Sequence, residues 1–443
     1  MKKIQICILL FLCLLFPFHT LSYAGSIAQR EILDNGITLL HSEKTVLPIV
    51  TVVVAIKAGS VAETPEKAGL ANLTADLLNE GTKTRSSKEI SDAIEFVGGS
   101  LNTSGGADYI TVSLSVLKKD IELGFDLLSD VILNPAFSDD EIKRRKTSIK
   151  NSIIQQKEEP DVIVSKAFYE AVFGKHPYGR PVEGTEETLD RITREDISAF
   201  YKEHYLPNNT IITVVGDISK SELTSLLERY FMNWRKKVSK EMLLPPPVFE
   251  DKPKVIKIQK ALTQANIMLG HLGIKRDNPD YYAVSVMNYI LGGGGFASRL
   301  MDNIRDNKGL AYDVHSTFSA NKYSGSFQAG LQTKNESANT AIEETLKEME
   351  RIRTEQVTDK ELGDAKSYLT GSFPLRIDSN RKIAAFLTSV EFYGLGLDYV
   401  DNYRKFIEAV TKDDILRVAR KYLNTKNYVL VVVGDLEKAV LKY

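Results

Sequence analysis

A segment that recurs once at a fixed offset restricts this chain more than any other feature. Thr193-Arg194-Glu195-Asp196-Ile197 returns as Thr411-Lys412-Asp413-Asp414-Ile415, 218 positions on. Asn209 and Val214-Val215-Gly216-Asp217 return as Asn427 and Val432-Val433-Gly434-Asp435 at the same distance. Each copy spells a Thr N-cap, an acidic first turn, an amphipathic helix, a short turn and an apolar strand ending in Gly-Asp. An offset that holds through helix and strand predicts one domain of about 200 residues present twice, not a solenoid.

Between the copies runs Glu241 to Lys254, with Pro245-Pro246-Pro247 and Pro253. Consecutive prolines exclude helix and strand interiors and favour a stiff, extended connector. The expected layout is an N-terminal domain over 25–240, a linker over 241–254 and a C-terminal domain over 255–443. Ile49–Ile56 reads as a buried strand, and Ile110–Leu117 alternates as a half-buried one does. Helices are expected near 65–80, 87–97, 119–132, 139–157 and 337–353. Strands followed by paired helices favour an α+β fold, with two homologous domains each built on a mixed, mainly antiparallel sheet covered by helices.

Residues 1–24 stand apart. Lys2 and Lys3 precede an apolar run from Ile4 to Phe18, followed by Leu21-Ser22-Tyr23-Ala24. A basic start, an apolar stretch and a small residue at the cut spell a secretory signal peptide, cleaved at Ala24–Gly25. The run is shorter than the roughly 20 apolar residues that a membrane span needs. Both cysteines, Cys7 and Cys13, fall inside it, so disulfide and Cys-zinc schemes drop out for the mature chain. A periplasmic or secreted location is expected, with no membrane attachment after cleavage. The 57 basic and 58 acidic residues nearly cancel, which argues against nucleic acid as a partner.

Thr64-Pro65 is a good helix start, Leu70, Leu73, Leu77 and Leu78 form an apolar face, and Gly81 is a stop. Residues 72 and 76 share one side of that helix, with 75 one turn from 72. Taken alone, Asn72 and Asp76 make a polar face turned to solvent or to a cavity. The surrounding string Ala58-Gly59-Ser60, Glu63, Gly69-Leu70-Ala71-Asn72-Leu73-Thr74-Ala75-Asp76 and Gly81-Thr82 resembles the signature of the pitrilysin/insulinase zinc peptidases. That family carries an inverted H-x-x-E-H motif in this frame. The resemblance places its two His ligands on Asn72 and Asp76, its general base on Ala75, and its third ligand near Asn151 or Ser152. None of these residues reproduces the family's donor set, and Ala75 cannot move a proton. No zinc is therefore expected on this chain, and it should be inactive alone.

The C-terminal half carries Gly292-Gly293-Gly294-Gly295-Phe296, then Arg299 to Lys308, Gly309 and Tyr312. Four successive glycines favour a flexible loop. Arg299–Lys308 reads as the next helix, stopped by Gly309 at C′. Ala311–Phe318 reads as a strand with Tyr312, Val314, Ser316 and Phe318 on one face. An Arg in a last helical turn is usually a surface charge, but a guanidinium beside a phenol suits peptide carbonyls or a carboxylate. The zinc peptidase family has an Arg–Tyr pair in this frame, after a glycine-rich loop. The resemblance thus implies substrate binding by Arg305, Tyr312 and the glycines 292 to 295, and half of a clamshell as the architecture. In the two-chain branch, similar to mitochondrial processing peptidase, one chain brings zinc and the other the binding pair. A homologous H-x-x-E-H subunit would then be the heterodimer partner and a peptide the substrate. The alternative is a peptide-binding or structural protein with no peptidase partner. N-terminal sequencing of the exported protein is expected to begin at Gly25; an exported chain still starting at Met1 would contradict the cleavage.

Overall fold

The protein is described here by a computed structural model covering residues 27–237, 242–249 and 252–443; the expected signal peptide lies outside them. Strands β1 (Gln29–Ile32), β2 (Thr38–Glu43), β3 (Ile49–Ile56), β4 (Ser100–Ser104), β5 (Ile110–Leu117) and β6 (Thr210–Gly216) form a sheet ordered β1-β2-β6-β3-β5-β4. Strands β7 (Lys254–Gln259), β8 (Gln264–Leu272), β9 (Ala311–Ala320), β10 (Gly325–Lys334) and β11 (Val429–Gly434) form a second, ordered β7-β11-β8-β10-β9. Dropping β1, the two orders are the same. In each, only one pair is parallel, β2 with β6 and β7 with β11. The repeated segment sits where its sequence puts it. Thr193 and Thr411 each cap a helix by accepting from the amide of Asp196 or Asp414, whose carboxylate accepts in return from the Thr amide. This is the reciprocal capping pattern, with Asp in the third position.

The helices that position the sites are α1 (Leu70–Asp76), α2 (Asp139–Gln156), α3 (Pro160–Phe173), α4 (Tyr281–Asn288) and α5 (Asn380–Phe392). One face of each sheet is covered by helices of its own half, around Val52, Val54, Val112, Leu73 and Phe125 in the first and Ile267, Leu269, Phe327 and Val432 in the second. The other face is covered by a helix from the opposite half. From α3, Val164, Phe168 and Val172 pack on Met268, Val429, Val431 and Val433 of the second sheet. From α5, Ile383, Ala384, Leu387 and Phe392 pack on Leu40, Val53, Ala55, Ile211 and Val215 of the first.

The sequence is fitted to this exchange in detail. A Cβ at Gly270 of β8 would stand 2.9 Å from the Phe168 ring, so glycine makes room for the phenyl group. Thr213 of β6 meets Thr388 of α5 at 2.8 Å, a buried hydroxyl pair in which Thr388 also donates to the Ala384 carbonyl. Arg30 of β1 grips Glu391 through two bonds of 2.9 Å. Residues 242–249 of the proline-rich linker form neither helix nor strand, and Met242, Leu244 and Phe249 lie against the α3 cluster. Burial of each large side chain contributes roughly 1.5–3 kcal/mol, so the exchanged faces are a large part of each half's stability.

One helix departs from its expected course. The stretch 65–80 is broken: Pro65–Lys67 is a single 3₁₀ turn, Gly69 turns at φ 97°, and α1 begins only at Leu70. Chains spanning 27–237 and 252–443, expressed apart, are each expected to expose an apolar sheet face and aggregate or bind hydrophobic dye. Co-expressed, they should form a stable 1:1 complex; two monodisperse, non-associating halves would contradict the exchange.

Candidate functional site

Two places bear on function, one in each half. At the first, Gly69 is required because a Cβ would lie 2.6 Å from the Glu183 carbonyl. The cap expected of Thr64 is made instead by Glu63, whose buried carboxyl accepts from the amides of Gly69 at 3.0 Å and Ala71 at 2.5 Å. Burial pushes this carboxyl up to about 8, against the pull of those amides and of Arg180. The Glu63 side chain thereby fixes the angle at which α1 enters the core.

On α1, Leu70, Leu73 and Ala75 are buried, as are Leu77 and Leu78 in the 3₁₀ turn that follows it. Asp76 is not turned to solvent. Its Oδ2 accepts from Arg145 of α2, at 3.0 Å from Nε and 2.8 Å to Nη2, and from Asn72 Nδ2 at 3.4 Å. Burial raises the Asp76 pKa, and Arg145 opposes it by charge and hydrogen bond. The buried Tyr205 ring adjoins the same carboxylate, its phenol pushed well up by burial first and then by Tyr201 and Asp76. Asn72 is held from the far side, where a Cβ at Gly105 would come within 2.6 Å of its Cα. Asn151 and Ser152 are exposed on α2.

This donor set does not fit a zinc ion. It offers an amide, a methyl group and one carboxylate, and a guanidinium already satisfies that carboxylate while presenting a positive charge where a cation would have to sit. Arg145 balances the Asp76 charge from within the chain. Nothing in the sequence advertises this pair, because its members are 69 residues apart.

At the second place the glycine run behaves differently from a plain loop. A π-helical turn, Tyr289–Gly293, carries α4 on through Gly292 and Gly293, so the loop proper starts at Gly294. Three of the glycines are needed for space: a Cβ at Gly292, Gly293 or Gly294 would meet Ser316, Asn288 or Tyr289 at 2.6–2.7 Å. Gly295 is needed for its backbone, at φ 57° with open space around it. The following helix is also wound as π, over Met301–Asn307, and ends at Gly309 as expected, at φ 61°. Paired π segments around one loop are a feature that accompanies functional sites.

Tyr312 does not share a face with Val314. Val314 opposes Leu331 and Ala311 opposes Thr333, so two residues of β9, Tyr312 and Asp313, face Gln332 alone. This bulge reverses the alternation locally and turns Tyr312 outward, where it is 83% exposed. There it meets Arg305, whose Cζ lies 5.4 Å from the Tyr312 ring centroid and 4.7 Å from that of Phe296, itself 71% exposed. The guanidinium is thus flanked by two rings, and its one ion pair among the described residues is to the adjacent Asp306 at 3.1 Å. Its remaining donors and the Tyr312 hydroxyl are free to meet carbonyl or carboxylate oxygens. Phe296 was not singled out from the sequence; its place directly after the glycines was the available signal. β9 is moreover an edge strand, as is β4 beside Asn72.

Comparison with known proteins gives the family and the fold. Residues 39–186 match the family described as Insulinase (Peptidase family M16), and residues 191–369 match Peptidase M16 inactive domain. An uncharacterized zinc protease, YmxG, of Bacillus subtilis is 28% identical over 413 residues, covering 92% of this chain and 98% of that protein. An uncharacterized zinc protease of Streptomyces coelicolor is 27% identical over 414 residues, covering 92% of this chain and 90% of its own. Among solved structures, a peptidase M16 inactive domain from Pseudomonas fluorescens superposes with a TM-score of 0.86 at 29% identity, covering 92% of this chain and 98% of that one. A protease from Helicobacter pylori has the same fold, with a TM-score of 0.85 at 20% identity and coverage of 92% and 99%. Arg145→Ala is expected to destabilise the protein by about 2 kcal/mol, below the cost for a fully buried pair because Arg145 is partly exposed. Adding Asp76→Asn should recover part of that loss in urea unfolding; additive losses would show that the two side chains act independently.

Proposed function

The chain belongs to the M16, insulinase-type, peptidase family, and from that membership we propose that it is the zinc-free, substrate-binding subunit of a two-chain metallopeptidase acting on peptides. The observation that carries the reading is the open Arg305–Tyr312 pair, set beside a glycine-rich loop and aimed outward by a bulge. The state of α1 supports it from the other side, since Arg145 stands against Asp76 where a metal-bearing chain would place its ligands.

In this reading the partner is a homologous exported chain with its H-x-x-E-H helix intact, and the pair works in the periplasm. Zinc held by the H-x-x-E-H helix of that partner would provide an activated water; what this chain adds is binding and charge. A peptide lies extended between the subunits, its backbone presented to an edge strand. Arg305 donates to a substrate carbonyl and holds it in register. The Tyr312 hydroxyl donates to an oxygen on which negative charge grows as the carbonyl is attacked. Phe296 and Tyr312 keep the guanidinium in place between them, and their rings exclude water from one side of the bound backbone.

Mixed with its partner, Arg305→Ala is expected to lower peptide turnover about 10²–10³-fold, on the scale of one lost donor to a developing oxyanion. Tyr312→Phe should lower it by a similar or smaller factor. Neither change should weaken subunit assembly in size-exclusion chromatography. Unchanged cleavage by both variants would remove the role assigned to the pair.

A further inference from the structure

A second cavity, of 290 Å³, opens at the C-terminal end of α5, away from the glycine-rich loop. Its walls are Lys275, Arg276 and Asp277 from the segment after β8, Lys322 and Tyr323 from the β9–β10 turn, Phe392 and Tyr393 ending α5, and Met242, Leu243 and Leu244 from the linker. Three cations therefore face a single carboxylate. Ion pairs are abundant elsewhere on this surface, yet among the described residues no pair within 4 Å joins Lys275, Arg276 or Lys322 to an acid; the one further carboxylate that attracts Lys322 is Asp108, which is already held by the Tyr178 and Tyr393 hydroxyls.

Two of the three cations, Arg276 and Lys322, are held by contacts with their neighbours. Arg276 stacks on Tyr281, with Cζ 3.7 Å from the ring centroid, and donates from Nη2 to the Tyr399 hydroxyl at 3.0 Å. Its backbone amide donates to the Asn321 carbonyl at 3.0 Å, which ties it to the turn bearing Lys322. The Lys322 ammonium lies 4.8 Å from the Phe392 ring centroid. Half-buried Lys57, at the end of β3, adds to the same positive field. Burial lowers its pKa first, and Lys322 and Arg30 push the same way against Glu391. A preorganised cluster of unpaired cations calls for an anion. The apolar linker side chains and aromatic rings call for hydrocarbon beside it, which an inorganic ion lacks.

We propose that this cavity binds the C-terminal residue of a peptide, its carboxylate held by Lys275, Arg276 and Lys322 and its apolar side chain packed against Leu244, Tyr323 and Phe392. The inference rests on the peptide-substrate reading above and adds a preference for a free, apolar C-terminus. The volume suits one residue, so the rest of the peptide continues outward.

The test uses the whole mature chain without its partner, so that it stands apart from any cleavage assay. A fluorescein-labelled hexapeptide ending in Leu is titrated by anisotropy, once as the free acid and once as the amide. The acid is expected to bind at least tenfold tighter. The double variant Lys275→Glu, Lys322→Glu changes exposed side chains only; with unchanged circular dichroism, it should bind acid and amide alike. Arg305→Ala should leave the preference intact, which separates this cavity from the Arg305–Tyr312 pair. Equal affinity for the two peptides, no binding of either, an acid preference that survives in the double variant, or displacement by inorganic phosphate as readily as by unlabelled acid peptide would each overturn the proposal.

Discussion

Each sheet of this protein is finished by a helix that the other half supplies, and that reciprocal exchange is the constraint on which the rest of the structure depends. An open sheet with one bare apolar face is not a stable unit, and here the bare face of each is covered by α3 or α5. The exchange follows the internal duplication, because the two helices hold equivalent places in the repeat. It also sets the midline of the molecule. The β4–β5 turn meets elements of both halves there: Asp108 accepts from Tyr178 at 2.5 Å and from Tyr393 at 3.4 Å, and the Tyr323 amide donates to the Tyr178 hydroxyl at 3.3 Å. Burial raises the Asp108 pKa against these hydrogen bonds.

With the halves so fixed, each carries different chemistry near its edge strand. α1 in the first half and α4 in the second both lie behind an edge strand, β4 and β9. In the first half that position is closed by an internal ion pair, Arg145 with Asp76. In the second half, Arg305 on the π-helical segment after the glycine loop stands open between two exposed rings. A buried carboxylate must find a positive partner or shift its pKa strongly. Arg145 is that partner.

Much of this was legible in the sequence, and the parts that were not have a common cause. The duplication, the strands Ile49–Ile56 and Ile110–Leu117, the Thr193 and Thr411 caps and the stop at Gly309 all rest on local signals, and the structure has them. The α+β class follows from the same signals. What escaped depends on contacts between distant residues. The exchange of α3 and α5 leaves no periodic trace, because an apolar face does not say which sheet it will cover. The pairing of Arg145 with Asp76 and the capping by Glu63 are of the same kind. The bulge at Tyr312 is set by β10, so alternation within β9 alone gave the wrong face. Four successive glycines suggest uniform flexibility, whereas packing by Asn288, Tyr289 and Ser316 accounts for three of them.

The central claim is that the metal and the Arg–Tyr pair reside on different chains. Zinc analysis by mass spectrometry of this chain alone, of its partner alone and of the purified pair tests that most directly. The account predicts no stoichiometric zinc on the isolated chain and one zinc per pair, lost when a His ligand of the partner is changed. One equivalent of zinc on this chain in isolation, removed by substituting Asp76, would contradict it.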